Sequence, residues 1–507
     1  MPNEKQLIRA LTEPTIVLDE IRAFTDEPDT PESGEQEQDG PIPYKSTKQL
    51  GGVTPLVQIL SKLFSGEELS SLTINVGEGL PTCTATFLIT DKSFYSRAFP
   101  KDGDIMSVFI RGKDDLFKPI RNDYIITSVS ISTDEGGDET SYDSMTVFGQ
   151  LNVPGYNALK CFSKKGTSMK ALMQTATDLN LGFASNEVDT ADEQTWICAF
   201  ERTKYFIDDV SLSAYKDDNS FYKSFVDIFY YMNFVNMEPL FAEKTEIEES
   251  MMVDLISTDY GKDSKKSKEK GKLVLTNWEE HQATPFFIKK YALFNNTSSV
   301  NLKYGYKRYV HYYDALLKEP QVVFIDPKTT EGAEDTLQLL KGRAKEKFYL
   351  EQTQGNWMGV QYGENGENSH EKYLIAKTHN FQNNIHAPKM GLEVTLQALN
   401  FNIRMMQSIP IVCVIKRDST RKMANQPADE SGESANGDPN ASAETPAVKA
   451  FESPIAVDKT VSGNYIVWRM SYVYENGEFR HRLTMVRREW PTPPSAGTNP
   501  PNNPSQN

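Results

Sequence analysis

From Leu72 to Phe148 apolar and polar residues alternate with the period of two that sets one face of a strand against a core. Leu72, Ile74 and Val76 point one way. Beyond a Gly-Glu-Gly-Leu-Pro turn, Thr82, Thr84 and Thr86 alternate with Cys83, Ala85 and Phe87. DIMSVFIR, YIITSVSIS and SMTVFGQ continue the pattern, broken by Asp-Gly and Gly-Gly turns, and Lys101-Asp102-Gly103 uses glycine for a positive φ. Short β-branched strands at this spacing predict a small antiparallel barrel or sandwich.

The period then changes. In TSMKALMQTATDLNLG, Met169, Leu172, Met173, Ala176 and Leu179 share a helical face, with Thr167 or Ser168 as N-cap and Gly182 as the stop. In NSFYKSFVDIFYYMNF, Phe221, Phe225, Ile228, Phe229 and Met232 fall on one face, capped by Asn219 or Ser220, which predicts a second helix. An aromatic stripe of this kind suits core packing better than a ligand pocket.

MMVDLIS and KLVLTNW read as strands flanking the lysine-rich stretch from Gly261 to Lys272, a solvated hairpin loop or a contact for phosphate or an acidic partner. EDTLQLLKGRAKEKFYLEQ is helical in spacing, though Gly342 weakens it. EKYLIAKTHNFQ and MGLEVTLQAL return to strand alternation, with Leu392, Val394 and Leu396 on one face, and IVCVIK reads as a buried strand. Ala424 to Pro446 lacks aromatics, Leu, Ile and Val, so it cannot bury a core and reads as a disordered loop. YIVWRMSYVY and FRHRLTMVRRE then flank Asn476-Gly477, a strong hairpin signal because Asn-Gly suits a type I′ turn. The Pro/Asn-rich tail beyond Pro491 is expected to be unstructured, and no short-period repeat is present.

The 507 residues set a prior of about three domains. The net charge of −16 argues against a dominant nucleic-acid role, since phosphate binding needs a basic surface. Asp19 to Asp39 alone holds nine carboxylates against one arginine and reads as a flexible acidic extension after a short helix at LIRAL. Arg9 and Glu13 interrupt the apolar stretch that a secretory signal would need, and no apolar run is long enough to span a bilayer. Cys83, Cys161, Cys198 and Cys413 are far apart with no CxxC, so the expectation is buried free thiols made in a reducing cytosol.

Candidate chemistry is sparse. His281, His311, His370, His379, His386 and His481 form neither HxxxH nor HExxH, and His379 and His386 are expected to flank a turn. There is no G-x-S-x-G elbow or P-loop, and YGENGEN precedes a strand rather than a helix. Asn296-Thr297-Ser298 has the form of a glycosylation sequon but reads as a loop. Asp208-Asp209 and Asp217-Asp218 are acidic pairs, but glycosidase chemistry needs two carboxylates across a cleft, which pairing in sequence does not establish. No catalytic, cofactor-binding or metal-ligating residue is expected, and no cofactor.

PLVQI, LTINVGEGLPTCTATFLI and FPKDGDIMSVFIR, followed by GTSMKALMQTATDLNLGFASN, TWI, DDNSFYKSFVDIFYYMNFVNMEPLF and a closing LTMVRREWP, resemble in their order the baseplate hub proteins of contractile-tailed phages. The resemblance covers roughly residues 50 to 410 and 455 to 491 and rests on no single motif. It implies an α+β, β-rich chain with two tube-like antiparallel barrels and a helix-containing middle domain. The expected layout is an acidic extension over 1–45, a first barrel over 46–160, a middle domain over 161–290, and a second barrel over 291–415 and 451–491. An acidic loop over 416–450 and a tail over 492–507 complete it.

The resemblance further implies a homotrimer that adapts the sixfold tail tube to a threefold central spike and lines the DNA channel. Its expected partners are the tube protein, the spike protein, other baseplate subunits and the tape measure protein. DNA would pass without specific binding, and no stable membrane insertion is expected. The place would be the tail baseplate of a virion, after synthesis in the host cytoplasm. An acidic lining would repel DNA and limit sticking. The family has no catalytic residues to transfer. The acidic extension, the 424–446 loop and the tail depart from its pattern. The alternatives are a tail-associated peptidoglycan-degrading enzyme and a receptor-binding tail protein; the chain has neither a separable motif-bearing domain nor a repetitive Gly-rich C-terminus.

Overall fold

The structure is a computed structural model. It describes residues 54–242, 274–325, 353–361, 372–416 and 455–487, apart from short breaks at 61, 65, 67, 90–93, 96–98, 112–119, 134–142, 280–281, 283–285, 297–298, 301–306, 315–317 and 459–460. The LIRAL and EDTLQLL helices, the MMVDLIS strand, the lysine-rich stretch, YGENGEN, the 424–446 loop and the tail lie outside the described residues.

The chain is β-rich and dominated by one 13-stranded, mostly antiparallel sheet. Its first part comprises β1 (Thr54–Ile59), β2 (Lys62–Phe64), β3 (Leu69–Val76), β4 (Thr82–Ile89), β5 (Ile105–Arg111), β6 (Ile120–Thr133) and β7 (Asp143–Leu151). These form where alternation is cleanest. Leu72, Ile74 and Val76 of β3 and Cys83, Ala85, Phe87 and Ile89 of β4 are buried, as the pattern predicts. Gly103, at φ +92°, sits in the turn before β5, where the Lys101 N–H also donates to Asp104 Oδ2 at 2.8 Å.

The middle of the chain leaves this sheet. β8 (Leu159–Gly166) and β10 (Gln194–Arg202) form a two-stranded ribbon. α1 (Ser168–Asp178) and α2 (Thr203–Ser213) pack beside it. Thr167 is the N-cap of α1, its Oγ1 accepting from the Lys170 N–H at 3.3 Å. The stop is not Gly182, which opens β9 (Gly182–Ser185); Asn180 takes the left-handed conformation at φ +56° instead.

The predicted helix over 219–234 is a hairpin: β11 (Tyr222–Val226), a turn, and β12 (Tyr231–Asn236), which also pairs in parallel with β9. Both strands are buried nearly throughout, so the period of two vanishes and an apolar run mimics a helix. Asp227 decides for the turn. Its Oδ1 accepts from the Phe229 and Tyr231 N–H groups at 2.8 and 3.0 Å, and its Oδ2 from Asn233 Nδ2 at 3.1 Å. Tyr230 supplies the positive φ of 60°. Phe221, Phe225, Phe229 and Met232 are indeed buried, but on this hairpin and its flanks. The short α3 (Glu238–Ala242) follows.

The last part returns to the large sheet with β13 (Leu275–Thr276), β14 (Ile288–Asn295), β18 (Met390–Leu396), β19 (Ser408–Val412), β22 (Gly463–Glu475) and β23 (Glu478–Val486). A separate three-stranded sheet holds β15 (Lys307–Asp314), β16 (Glu319–Ile325) and β17 (Thr353–Gln361). The IVCVIK strand is divided at buried Cys413. β19 stays in the large sheet, and β20 (Val414–Lys416) leaves it to pair with β21 (Ile455–Val457). Asn476 and Gly477, at φ +54° and +79°, close the β22–β23 hairpin as Asn-Gly predicts.

The strand expected at EKYLIAKTHNFQ is a helix, α4 (Tyr373–His386), and His379 and His386 lie on it rather than about a turn. Its buried residues, Leu374, Ala376, Thr378, Asn380 and Gln382, alternate as in a strand because the helix is covered on more than one side, by α2, β11 and β17. Among the described residues no helix is long and apolar enough to cross a membrane.

Candidate functional site

The two β-rich blocks meet strand to strand. β3 and β22 pair antiparallel from Ser71↔Glu475 to Val76↔Met470, so the first and last parts of the chain are neighbours in one sheet. Ile74 and Tyr472, paired at the seam, are fully buried, and on the exposed side Ser471 Oγ donates to Asn75 Oδ1 at 2.8 Å.

At one end of this seam a charged cluster joins three parts of the chain. Glu78, in the β3–β4 turn, accepts from Lys223 Nζ of β11 at 3.0 Å and lies 3.7 Å from Arg469 Nη2 of β22. Trp468 sits in a β-bulge of β22, between Val467 and Arg469, and the bulge turns its ring under Lys223, whose ammonium is 3.9 Å from the ring centroid. The ammonium beside Glu78 holds that carboxyl below its usual range. Burial pulls Lys223 itself below the usual lysine range, Glu78 opposing without prevailing. Burial pushes the nearby Asp208 carboxyl of α2 up to about 6, against the attraction of Lys204.

The β11–β12 hairpin is the keystone. Asn122 Nδ2 of β6 donates to Ile228 O at 2.5 Å, and the Asp123 N–H donates to the Tyr230 hydroxyl at 3.0 Å. The Arg404 guanidinium stacks on Phe229 with its carbon 4.7 Å from the ring centroid. From α4, Asn380 Oδ1 accepts from the Tyr222 N–H and Asn384 Nδ2 donates to Tyr222 O, at 3.0 and 2.9 Å. The hairpin thus ties the first block, the last block and α4 together. A cleft of about 490 Å³ opens beside the cluster, lined among others by Glu78, Arg202, Lys204 and Tyr205.

The acidic pairs do not form a two-carboxylate cleft. Asp208 feels the charges of Lys204, Glu78 and Lys223, while Asp209 accepts from Tyr373 and Lys377 of α4. Asp217 caps a turn through the Asn219 and Ser220 N–H groups, and Asp218 accepts from the Tyr215 hydroxyl. Cys83, Cys198 and Cys413 are buried, but Cys161 is exposed on the outward side of β8, which corrects the expectation of four buried thiols. His481 is fully buried against Tyr472, ring centroids 4.5 Å apart, and burial pulls its imidazole down to about 3. Among the described residues no group of three His, Cys, Asp or Glu is placed to hold a metal ion. The Glu78–Lys223–Trp468 cluster was not singled out in the sequence. Its members are 145 or more residues apart, and only the Gly-Glu-Gly turn gave a local signal.

No protein-family model matches the chain, and no curated protein matches it. Solved structures do. The 43 kDa tail protein of prophage MuSo2 from Shewanella oneidensis is similar over 86% of this chain and 98% of its own, at 9% identity and a TM-score of 0.44. A tail protein from Neisseria meningitidis MC58 is similar over 86% of this chain and 97% of its own, at 8% identity and a TM-score of 0.43. An E. coli component of the type VI secretion system, itself described as structurally similar to bacteriophage T4 tail proteins, is similar over 86% of this chain and 79% of its own. Its identity is 8% and its TM-score 0.37. Two of these three solved structures are tail proteins and the third is a secretion-system component.

Proposed function

We propose that the chain is a structural hub of a contractile phage tail: a homotrimer that joins the sixfold tail tube to a threefold spike and surrounds the channel for DNA. The observation that carries this reading is the β3–β22 seam. It sets the two β-rich blocks side by side in one sheet, so each chain offers two adjacent β units to a ring. Three chains then supply six such units, which is how threefold and sixfold symmetry can meet. Rings of this kind close through heterologous interfaces. The order of sequence segments shared with baseplate hubs supports the same reading. The tube would dock on one face of the ring and the spike on the other, in the baseplate of the virion. The protein would have no hydrolytic activity of its own.

Native mass spectrometry of the purified chain with its tube and spike partners, followed by cryo-EM of the complex, tests this. Three copies with pseudo-sixfold β units are expected. Six copies in the ring, or one β unit per chain facing the channel, would overturn the symmetry-adaptor reading. Reproducible clearing of peptidoglycan by pure protein, abolished by changing one carboxylate, would overturn the non-enzymatic part.

A further inference from the structure

The β8–β10 ribbon carries an apolar face turned to solvent. Its inner side is packed: Phe162 meets Phe206 of α2 edge to face with centroids 4.8 Å apart, and Trp196 Nε1 donates to Gly166 O at 2.9 Å. On its outer side the register places Cys161 beside Ala199 and Ser163 beside Ile197. Leu159, Ile197 and Phe200 are 58%, 60% and 71% exposed. Phe200 is the unpaired residue of a β-bulge and takes φ +54°. A bulky residue in that conformation stores strain, and here the strained residue is also the most exposed of the three. Lys165 of β8 and Arg202 of β10 are exposed and rim the outer face, whereas Lys164 lies on the inner side and pairs with Asp178 at 2.7 Å. A two-stranded ribbon with an uncovered apolar face is marginal by itself.

We propose that the chain's own residues 15–39 cover this face, with Ile16, Leu18, Ile21 and Phe24 on the apolar strip and the carboxylates that follow over Lys165, Arg202 and their neighbours. The segment joins an apolar run, Ile16 to Leu18 with Ile21 and Phe24, to nine carboxylates, which is the complement of an apolar strip with a basic rim. The other acidic stretch, Ala424 to Pro446, has no Leu, Ile, Val or aromatic residue and cannot supply the apolar half. Residues 40–53 separate the segment from Thr54 of β1. Fourteen residues span up to about 45 Å, enough to cross a domain of this size. The inference is independent of the hub reading.

Cys161, at the centre of the outer face, is a built-in probe, because Cys83, Cys198 and Cys413 are buried. The rate of its reaction with a maleimide would be measured in the full-length protein and in the full-length variant I16D/L18D. The expected result is at least a tenfold faster reaction in the variant, faster reaction of the wild type in high salt, and renewed protection when a synthetic peptide of residues 13–39 is added to the variant. A rate that falls with protein concentration in the wild type alone would assign the cover to the same segment of a neighbouring copy. Equal rates in wild type and variant would overturn the proposal. Protection that follows concentration but ignores the substitutions would overturn it too, since a folded face of a second copy would then be the cover.

Discussion

Asn380 accepts a hydrogen bond from the backbone N–H of Tyr222, 158 residues earlier in the chain, and its Nδ2 donates to Leu212 O and Ala214 O at 2.7 and 2.9 Å. One buried side chain therefore satisfies three main-chain groups from two elements. N380A is expected to lower stability by about 2–4 kcal/mol, because three buried polar groups lose their partner at once. Denaturant unfolding would measure it, and N380D should cost more at neutral pH than in acid.

Asp208 and Glu78 predict opposite pH profiles from one cluster. Burial raises the folded-state value of Asp208 to about 6 from 3.8, so its stabilising contribution is fully present below about 3.8 and lost as pH rises through 6. D208N should therefore stabilise the protein by roughly 1–3 kcal/mol at pH 7 and make little difference near pH 3.

Glu78 is depressed by Lys223, so its contribution is present above about 4.5 and lost as pH falls through its folded value. The carboxylate is largely exposed, so E78Q should cost only about 1 kcal/mol at pH 7, with the difference from wild type vanishing in acid. Melting temperatures across pH 3–8 for both variants would check the two signs together.

Phe225 is buried within the keystone hairpin, and F225A should cost about 3–5 kcal/mol. Unchanged stability with weakened partner binding would make this position an interface residue.

Gly391 pairs with Val486 where β18 meets β23, and a Cβ there would collide with the Met485 carbonyl oxygen. The clash is with backbone, so no side chain can move to relieve it. G391A should lower stability by several kcal/mol, while G477A, which faces open space at φ +79°, should pay mainly the strain of about 1 kcal/mol.

Strands such as β3 and β4 were legible because one side of each faces the core and the other does not, so Leu72, Ile74 and Val76 announce themselves. The hairpin over 222–236 and the helix over 373–386 were not, and for one reason. Both are packed on several sides, so burial no longer reports the local period: β11 and β12 lose their alternation, and α4 gains one. What settles each is polar: the local Asp227 turn in one, and in the other the buried contacts of Asn380 with groups more than 150 residues away. The seam itself was invisible to any window along the chain, since its paired residues lie hundreds of positions apart. What resemblance the sequence carries lies in the order of its segments rather than in any single motif.

The partner of Asn75 across the seam, Ser471, is 396 residues further along the chain. During synthesis β3 therefore waits with a bare edge until the ribosome has made β22, at about 5–20 residues per second some tens of seconds later. An unpaired edge is a template for pairing with other chains. A polypeptide cut short before residue 470 can never cover it, and would carry a permanent defect in the sheet through which its two β blocks are joined. Pairing the early strand with the late one thus acts as a length check: only chains translated through β22 can pair both edges of β3.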